Sequence, residues 1–130
     1  MDCPVCQEAM ITMELDEVEI DFCARCSGIW LDAGELEQLI GNTEQVEKIM
    51  ASFKKSGQTE EQTRKCPVCL RKMQKVNVGA SLQTVLIDEC IKKHGLWFDR
   101  GELLQIIQQG SFDPENKVNK LLEQMFSENN

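Results

Sequence analysis

The amino-acid sequence predicts a small α+β fold that is built twice along the chain. Two stretches resemble each other: Cys-Pro-Val-Cys opens them at residues 3–6 and 66–69, and Trp-x-Asp-x-Gly-Glu-Leu closes them at residues 30–36 and 97–103. Between these landmarks apolar and polar residues alternate with period two, and beyond them apolar residues recur at helical spacing. Self-similarity of this kind indicates a duplicated structural unit.

The composition is that of a soluble globular protein. The chain has 130 residues, 42% of them hydrophobic and 28% charged, and a net charge of −8. No apolar run approaches the roughly 18 residues of a membrane span. Cys3 follows the first methionine so closely that no signal peptide fits before it. We therefore expect a cytoplasmic protein that does not contact membranes.

The cysteines are spaced as metal ligands. Six of the seven lie in Cys-x-x-Cys pairs, and the only histidine follows the seventh by four positions. An odd number of cysteines fits disulfide pairing poorly, and in a reducing compartment such spacing favours a metal. Seven thiolates and one imidazole make two complete sets of four ligands, so we expect two Zn²⁺ ions per chain.

The first set consists of Cys3, Cys6, Cys23 and Cys26. Sixteen residues separate its two pairs, within the roughly 15–20 expected at a zinc site. Four protein ligands fill a tetrahedral site, which makes the predicted zinc structural. The alternative, a redox pair of thioredoxin type, needs a βαβ setting, whereas a hairpin-like stretch joins these pairs.

The second set consists of Cys66, Cys69, Cys90 and His94. Three residues separate Cys90 from His94, one more than in a Cys-x-x-Cys pair, and the different reach of an imidazole makes this spacing acceptable. Aligning the repeats at Trp30 and Trp97 places Lys93 opposite Cys26. The alternative is therefore a site of three thiolates and a solvent or outside ligand, with His94 merely nearby.

Each repeat is predicted to run from a β-hairpin into a short helix and then a longer amphipathic helix. The first hairpin turns at Asp16-Glu17 and the second near residues 79–81. Asp32 and Asp99 are predicted N-caps, with a glutamate three residues later as in a capping box. Asp113-Pro114 is predicted to begin the last helix. The apolar helix positions are Leu36, Leu39, Ile40, Val46, Ile49, Met50 and Phe53 in the first repeat, and Leu103, Leu104, Ile106, Ile107, Val118, Leu121, Leu122, Met125 and Phe126 in the second.

The predicted domain boundaries follow the repeat. Residues 1–53 form one zinc ribbon with its helices, residues 66–130 form the other, and residues 54–65, which lack a large apolar side chain, form a linker. The long amphipathic helices need an apolar surface against which their apolar faces can be buried. We expect them to pack within the chain, and the alternative is a homodimer or partner interface.

Two other groups of residues admit more than one interpretation. Trp30 and Trp97 are expected to pack beneath each ribbon against the following helix, and the alternative is a pair of exposed binding aromatics. The carboxylates could serve in acid–base catalysis, but helix capping accounts for them without chemistry. These carboxylates are Asp32, Glu35, Asp99 and Glu102.

The charge is distributed unevenly. Residues 1–63 carry 14 acidic and 4 basic side chains, whereas residues 64–130 carry 8 acidic and 10 basic ones. Nucleic-acid binders normally show a basic footprint, because phosphate neutralisation supplies much of their affinity. The first half lacks such a footprint and the second has a modest one, so nucleic-acid binding is disfavoured. The basic residues of the second half are expected to form a solvated face.

The spacing shared by the two repeats resembles the transcription-factor-IIB-type zinc-finger family, a small zinc-ribbon domain. The pattern is C-P-x-C, then a hydrophobic residue followed by D-x-C-x-x-C-x-G, then a hydrophobic residue followed by W-L-D-x-G-E-L. The first copy matches at Cys3, Cys6, Cys23, Cys26, Gly28, Trp30, Asp32, Gly34, Glu35 and Leu36, and the second at Cys66, Cys69, Cys90, Gly95, Trp97, Asp99, Gly101, Glu102 and Leu103. The second copy departs at the fourth ligand. The resemblance implies zinc binding and a ribbon fold, and implies little about activity.

Three functions are compatible with these features. The first is a non-enzymatic module that binds a protein partner, for example a component of the transcription machinery. The second is a nucleic-acid-binding regulator that uses the basic second half. The third is a zinc enzyme with an open position at the second site, which the absence of a spare histidine or a nucleophile motif disfavours.

Overall fold

The computed structural model describes residues 1–41, 43–56, 62–79, 84–108 and 117–128. Within these residues seven strands form a single antiparallel sheet and four helices accompany it, so the fold class is α+β as predicted. The elements are β1 (Ile11–Leu15), β2 (Val18–Phe22), β3 (Ile29–Asp32), α1 (Glu35–Ile40), α2 (Thr43–Ala51), β4 (Lys54–Lys55), β5 (Gln74–Val78), β6 (Val85–Glu89), β7 (Gly95–Phe98), α3 (Glu102–Gln108) and α4 (Lys117–Glu128).

The two predicted hairpins are present. β1 pairs with β2 from Ile11↔Phe22 to Leu15↔Val18, and the two residues between the strands, Asp16 and Glu17, have φ of 50° and 70°. Two consecutive residues with positive φ make the kind of tight turn that matches the twist of a hairpin. β5 pairs with β6 in the second repeat. Residues 80 and 81 of the predicted turn of that hairpin, and the predicted start of the last helix at Asp113-Pro114, lie outside the described residues.

The two repeats join at the centre of the sheet. The strand order is β1-β2-β3-β7-β6-β5-β4, so β3 of the first repeat pairs directly with β7 of the second. The register places Trp30 opposite Trp97 and Leu31 opposite Leu96. Since Trp30 and Trp97 are equivalent positions of the repeat, the pairing relates the two copies by an approximate twofold axis. The sequence pattern predicts no strand at β3 or β7.

Two glycines allow this close approach of the repeats. A Cβ atom on Gly28 would lie 2.2 Å from Cζ2 of Trp97, and a Cβ atom on Gly95 would lie 2.6 Å from Cζ2 of Trp30. Each tryptophan thus packs on the glycine of the other repeat. This reciprocal contact explains in physical terms why Gly precedes Trp by two positions in both copies.

The sheet separates two clusters of buried side chains. One is purely apolar and combines alternate strand residues, such as Ile29 and Leu31, with the helices. The other contains Trp30, Trp97, Met73 and four buried cysteines. The tryptophans are fully buried, as predicted, but the prediction that they pack against the following helices is wrong. Side chains alternate across a strand, so Trp30 points away from the side chains of its neighbours Ile29 and Leu31.

Elements of each repeat also lie beside the hairpin of the other. β4, at the end of the first repeat, pairs with β5, and the hydroxyl of Ser52 accepts a hydrogen bond of 2.9 Å from the backbone N–H of Gly79. α4 of the second repeat lines a cavity of about 220 Å³ together with Met13 and Leu15 of β1. The predicted linker therefore begins with a short strand at Lys54–Lys55, while residues 57–61 lie outside the described part of the chain.

Candidate metal centres

The first cluster brings together the four predicted ligands of the first repeat. One ligand atom from each of Cys3, Cys6, Cys23 and Cys26 lies within 4.8 Å of all the others. The Sγ atoms of Cys3 and Cys26 are 3.7 Å apart. With Zn–S bonds of about 2.3 Å, the edge of a tetrahedron of sulfurs is about 3.8 Å, whereas a disulfide would need about 2.0 Å. The spacing therefore fits a tetrahedral zinc ion.

The second cluster has the same size and one imidazole. Cys66, Cys69, Cys90 and His94 also contribute atoms within 4.8 Å of one another. The Sγ atoms of Cys69 and Cys90 are 3.7 Å apart, and Nδ1 of His94 lies 3.4 Å from Sγ of Cys90 and 4.0 Å from Sγ of Cys66. A tetrahedral zinc ion bound by sulfur and nitrogen gives an edge of about 3.6 Å. His94 therefore stands at the fourth corner of the cluster.

The second repeat has one more residue between its third and fourth ligands than the first. The turn accommodates this residue because the fourth ligand and the left-handed residue exchange positions. Alignment at the tryptophans places His94 opposite Ser27, not Cys26. The left-handed residue of the turn is Ser27 in the first repeat and Lys93 in the second, with φ of 64° and 63°. Ser27 follows the ligand Cys26, whereas Lys93 precedes the ligand His94. Lys93 itself points outwards, and its Nζ lies 2.9 Å from Oε1 of Glu89 in an ion pair.

Backbone amides surround the cysteine sulfurs. Sγ of Cys3 accepts hydrogen bonds of 3.3 Å from the N–H groups of Val5 and Cys6. Sγ of Cys66 accepts one of 3.4 Å from Val68, and Sγ of Cys90 accepts one of 3.3 Å from Lys92. Such donors stabilise a thiolate over a thiol. The tight turns thus place partial positive charge where the metal-bound thiolates carry negative charge.

The thiol pKa values differ within the second cluster. Burial raises the pKa of Cys66 to about 11, despite backbone hydrogen bonds that act in the opposite direction. Burial also acts to raise the pKa of Cys90, but hydrogen bonds from the backbone of His94 and Lys92 and from neighbouring thiols outweigh it and lower the pKa to about 7. A zinc ion must displace the remaining protons, so zinc binding releases protons and weakens in acid.

A chain of hydrogen bonds holds each tryptophan beside its cluster. The indole Nε1–H of Trp30 donates to Oδ1 of Asp32 at 2.8 Å, and the backbone N–H of Asp32 donates to Oε1 of Glu35 at 2.6 Å. Trp97, Asp99 and Glu102 repeat this arrangement at 3.1 and 2.8 Å. A buried indole N–H needs such a partner, so the Trp-x-Asp-x-x-Glu pattern supports the site structurally.

The predicted N-cap role of Asp32 is therefore wrong. Helix α1 begins at Glu35, the N-cap position is held by Gly34 with φ of 91°, and no side chain caps the helix. α3 likewise begins at Glu102, directly after Gly101 with φ of 86°. Only the glutamate half of the capping box is present, because the aspartate carboxylate is engaged by the tryptophan. The sequence shows the pattern but not which of the two partners the aspartate accepts from.

The comparisons with known proteins agree with this geometry. The family model described as a transcription factor zinc-finger, a zinc ribbon of the transcription-factor-IIB type, matches residues 2–41 and again residues 65–109. The chain belongs to this family and carries the domain twice. No curated protein and no solved structure shows significant similarity to it.

All eight residues predicted as metal ligands therefore fall into two clusters, one of four cysteines and one of three cysteines and a histidine, and both are compatible with zinc. The four carboxylates considered for catalysis lie in the hydrogen-bond chains beside the tryptophans. Among the described residues, no helix is long and apolar enough to cross a membrane.

Proposed function

We propose that this protein is a non-enzymatic, zinc-stabilised adaptor that binds another protein in the cytoplasm. Each repeat serves as a unit of zinc ribbon, short helix and longer amphipathic helix. The observation that carries the proposal is the donor set: each cluster brings four protein ligand atoms within 4.8 Å of one another. Catalytic zinc sites keep one position for water or substrate, whereas structural sites fill all four.

The molecular surface supports a protein partner more than a nucleic acid. The chain has a net charge of −8, and over most of the chain this negative charge opposes binding to the phosphates of a nucleic acid. The metal clusters and the tryptophans lie at the join of the two repeats, which favours a rigid scaffold that presents the exposed turns and helices. A transcription-related partner is compatible with the family but rests on its name alone.

The proposal is tested by affinity capture of the zinc-loaded, full-length protein from its native cytosol. We expect a defined protein partner that is lost when the same protein is stripped of zinc by a chelator, because the presenting surface then loses its fold. Equal capture by the stripped protein, or no partner at any salt concentration, would contradict the proposal.

A second candidate function is nucleic-acid binding by the second repeat. The observation that favours it is the group of exposed basic side chains Lys65, Arg71, Lys72 and Lys92. Retention on DNA or RNA at physiological ionic strength, weakening steeply with salt, is the expected result for this alternative. No retention would exclude it.

A further inference from the structure

The first metal-binding turns of the two repeats share a backbone conformation but differ in surface chemistry. In the first repeat the residue after the first pair is Gln7, with φ of 59°, and its N–H donates to the carbonyl of Cys3 at 2.9 Å. In the second repeat Leu70 takes this place, with φ of 62°, and its N–H donates to the carbonyl of Cys66 at 2.8 Å. The geometry is the same while the side chain changes from polar to apolar.

The second pair of turns exposes apolar side chains to solvent. Leu70 is 70% exposed, Val68 is 49% exposed and Ile91 is 48% exposed. These are three of the six large apolar side chains that are exposed in the described part of the chain. Cys69 and Cys90, whose sulfurs are 3.7 Å apart, directly precede Leu70 and Ile91, so the metal cluster holds these two turns together.

Folding does not account for Leu70. A left-handed conformation costs a non-glycine residue roughly 1 kcal/mol, and polar residues such as Asn or Asp tolerate it better than leucine. An exposed leucine contributes little burial in return. Neither the backbone conformation nor burial therefore favours a leucine at this exposed position.

The second repeat replaces an ion pair of the first with two cations. Glu8 and Arg25 form an ion pair of 2.9 Å across the turns of the first repeat. The equivalent positions of the second repeat hold Arg71 and Lys92, both exposed. Two cations at these positions repel each other and cannot form the pair, so they do not serve the stability of the turns.

Two further positions add positive charge to the second repeat. The isolated bridge Asp2↔Ala9 beside the first turns is replaced by Lys65↔Lys72 beside the second. Compensation of the negative charge on the metal clusters does not explain why the cations lie in the second repeat. A zinc ion with four thiolates is formally −2 and one with three thiolates and an imidazole is −1, yet the cations gather around the less negative cluster.

We propose that the turns of the second zinc cluster form a docking surface for an acidic segment of a partner protein that also carries apolar side chains. The surface consists of Val68, Leu70, Arg71, Ile91 and Lys92, and we call it the basic knuckle surface. The inference rests on the proposed adaptor function. Apolar contacts supply affinity at such a surface and the surrounding cations select an acidic partner.

A peptide selection tests this proposal. A phage-displayed random peptide library is panned on the zinc-loaded, full-length protein, and one recovered peptide is synthesised and titrated by fluorescence anisotropy. We expect recovered peptides to be enriched in Asp and Glu together with Leu, Ile or Phe. Peptides without acidic enrichment, or no recovered peptides, would overturn the proposal.

Two variants separate the apolar and the charged parts of the surface. Leu70→Gln with Ile91→Ala removes two of the three exposed apolar side chains and introduces the glutamine of the first repeat. Arg71→Glu places a glutamate opposite Lys92, which recreates the charges of the Glu8–Arg25 ion pair. Each is expected to weaken the peptide by about tenfold or more, since exposed anchors at an interface centre carry effects of this size. The control Glu8→Gln, at the equivalent position of the first repeat, leaves the affinity unchanged. Zinc content confirms that every variant is folded.

The outcomes also distinguish the surface from the adaptor function. If oligothymidylate binds the wild type, and Arg71→Glu abolishes this binding while Leu70→Gln with Ile91→Ala does not, the surface recognises phosphate and the proposal is wrong. If a partner captured from cytosol by the wild type is captured equally by both surface variants, the adaptor function stands and the surface proposal fails. If the wild type captures no partner, the adaptor function itself fails.

Discussion

At the residue scale, each glycine–tryptophan contact between the repeats is too close to admit a Cβ atom on the glycine. Gly28→Ala places a methyl group against the six-membered ring of Trp97, where the separation would be 2.2 Å. Overpacking of this kind typically costs about 1–3 kcal/mol of the free energy of unfolding. We expect the upper part of this range, measured by denaturant titration of the zinc-loaded protein.

A double-mutant cycle isolates this steric contact. Trp97→Phe removes the outer ring atoms that the new methyl group would meet, so Gly28→Ala should cost about 1 kcal/mol less when it is combined with Trp97→Phe. Gly101→Ala is the matched control: its φ is 86°, but within the described part of the chain no atom lies within 4 Å of the added Cβ. It should cost roughly 1–2 kcal/mol from backbone strain and be insensitive to Trp97→Phe. Additive costs at Gly28 would contradict the contact.

The fourth ligand of the second cluster gives a second prediction at this scale. His94→Ala removes the imidazole whose Nδ1 lies 3.4 Å from Sγ of Cys90. Zinc content should fall from about two to about one per chain, because three thiolates leave the site incomplete. Lys93→Ala is the control, since alignment places Lys93 opposite Cys26, and it should retain both zinc ions. Two zinc ions in both variants would show that His94 is not a ligand.

At the element scale, the start of α1 carries an unfavourable charge. The pKa of Glu35 is raised chiefly by burial; the hydrogen bond from the backbone of Asp32 opposes this, and the nearby carboxylates of Asp32, Asp21 and Glu19 reinforce it. A carboxyl whose pKa is raised in the folded state stabilises the fold only when protonated, and this stabilisation is lost as pH rises through that pKa.

Glu35→Gln should therefore slightly raise the stability of the protein at neutral pH. The glutamine keeps an oxygen that accepts from the N–H of Asp32 and removes the charge. The stability gain should shrink as the pH falls and Glu35 of the wild type becomes protonated. Thermal unfolding at several pH values, with zinc content checked at each, measures the difference. The exposed Glu44→Gln is the control, and a loss of stability at neutral pH in Glu35→Gln would contradict the account.

The elements also show which parts of the fold could be predicted from the sequence. The hairpins and helices have clear periodicities of two and about 3.6 residues, and Asp16-Glu17 separates two alternating strands. The sequence does not predict β3 and β7, because each is four residues long and buried on both faces. Burial on both faces removes the alternation of apolar and polar residues that identifies a strand. Their pairing is a long-range contact between repeats, and no local pattern encodes it.

The site could be predicted more completely than the fold. Ligand spacing and the count of seven cysteines and one histidine sufficed to choose all eight side chains that cluster. The hydrogen bonds that hold the tryptophans beside the clusters could not be predicted in the same way. Asp32 satisfies the pattern of an N-cap, and only the position of the Trp30 indole shows that its carboxylate accepts from that side chain instead.

At the scale of the whole molecule, the repeats depend on each other. Each covers the tryptophan of the other, and one continuous sheet contains strands of both. The predicted division into residues 1–53 and 66–130 is thus testable by expression of the halves. Residues 1–53 alone would expose Trp30 and the edge of β3. The unpaired backbone N–H and C=O groups of that edge can pair with a strand of another chain.

We expect the isolated first half to bind zinc but to associate, forming a dimer in which β3 pairs with a second β3 by the same approximate twofold. Analytical ultracentrifugation of the zinc-loaded fragment at several concentrations measures this, and the full-length protein is the control. A stable, cooperatively folded monomer of residues 1–53 would show that the join is not required for the fold.

We expect two closed zinc sites, with four protein ligands each, to hold the molecule together. Zinc X-ray absorption, combined with elemental analysis of the reduced, untreated protein, measures both the number of zinc ions and their ligands. The expected result is about two zinc ions per chain, a dominant sulfur shell at about 2.3 Å and a minor nitrogen shell at about 2.0–2.1 Å. A zinc content near zero, or an oxygen ligand from water in place of the imidazole nitrogen, would contradict it.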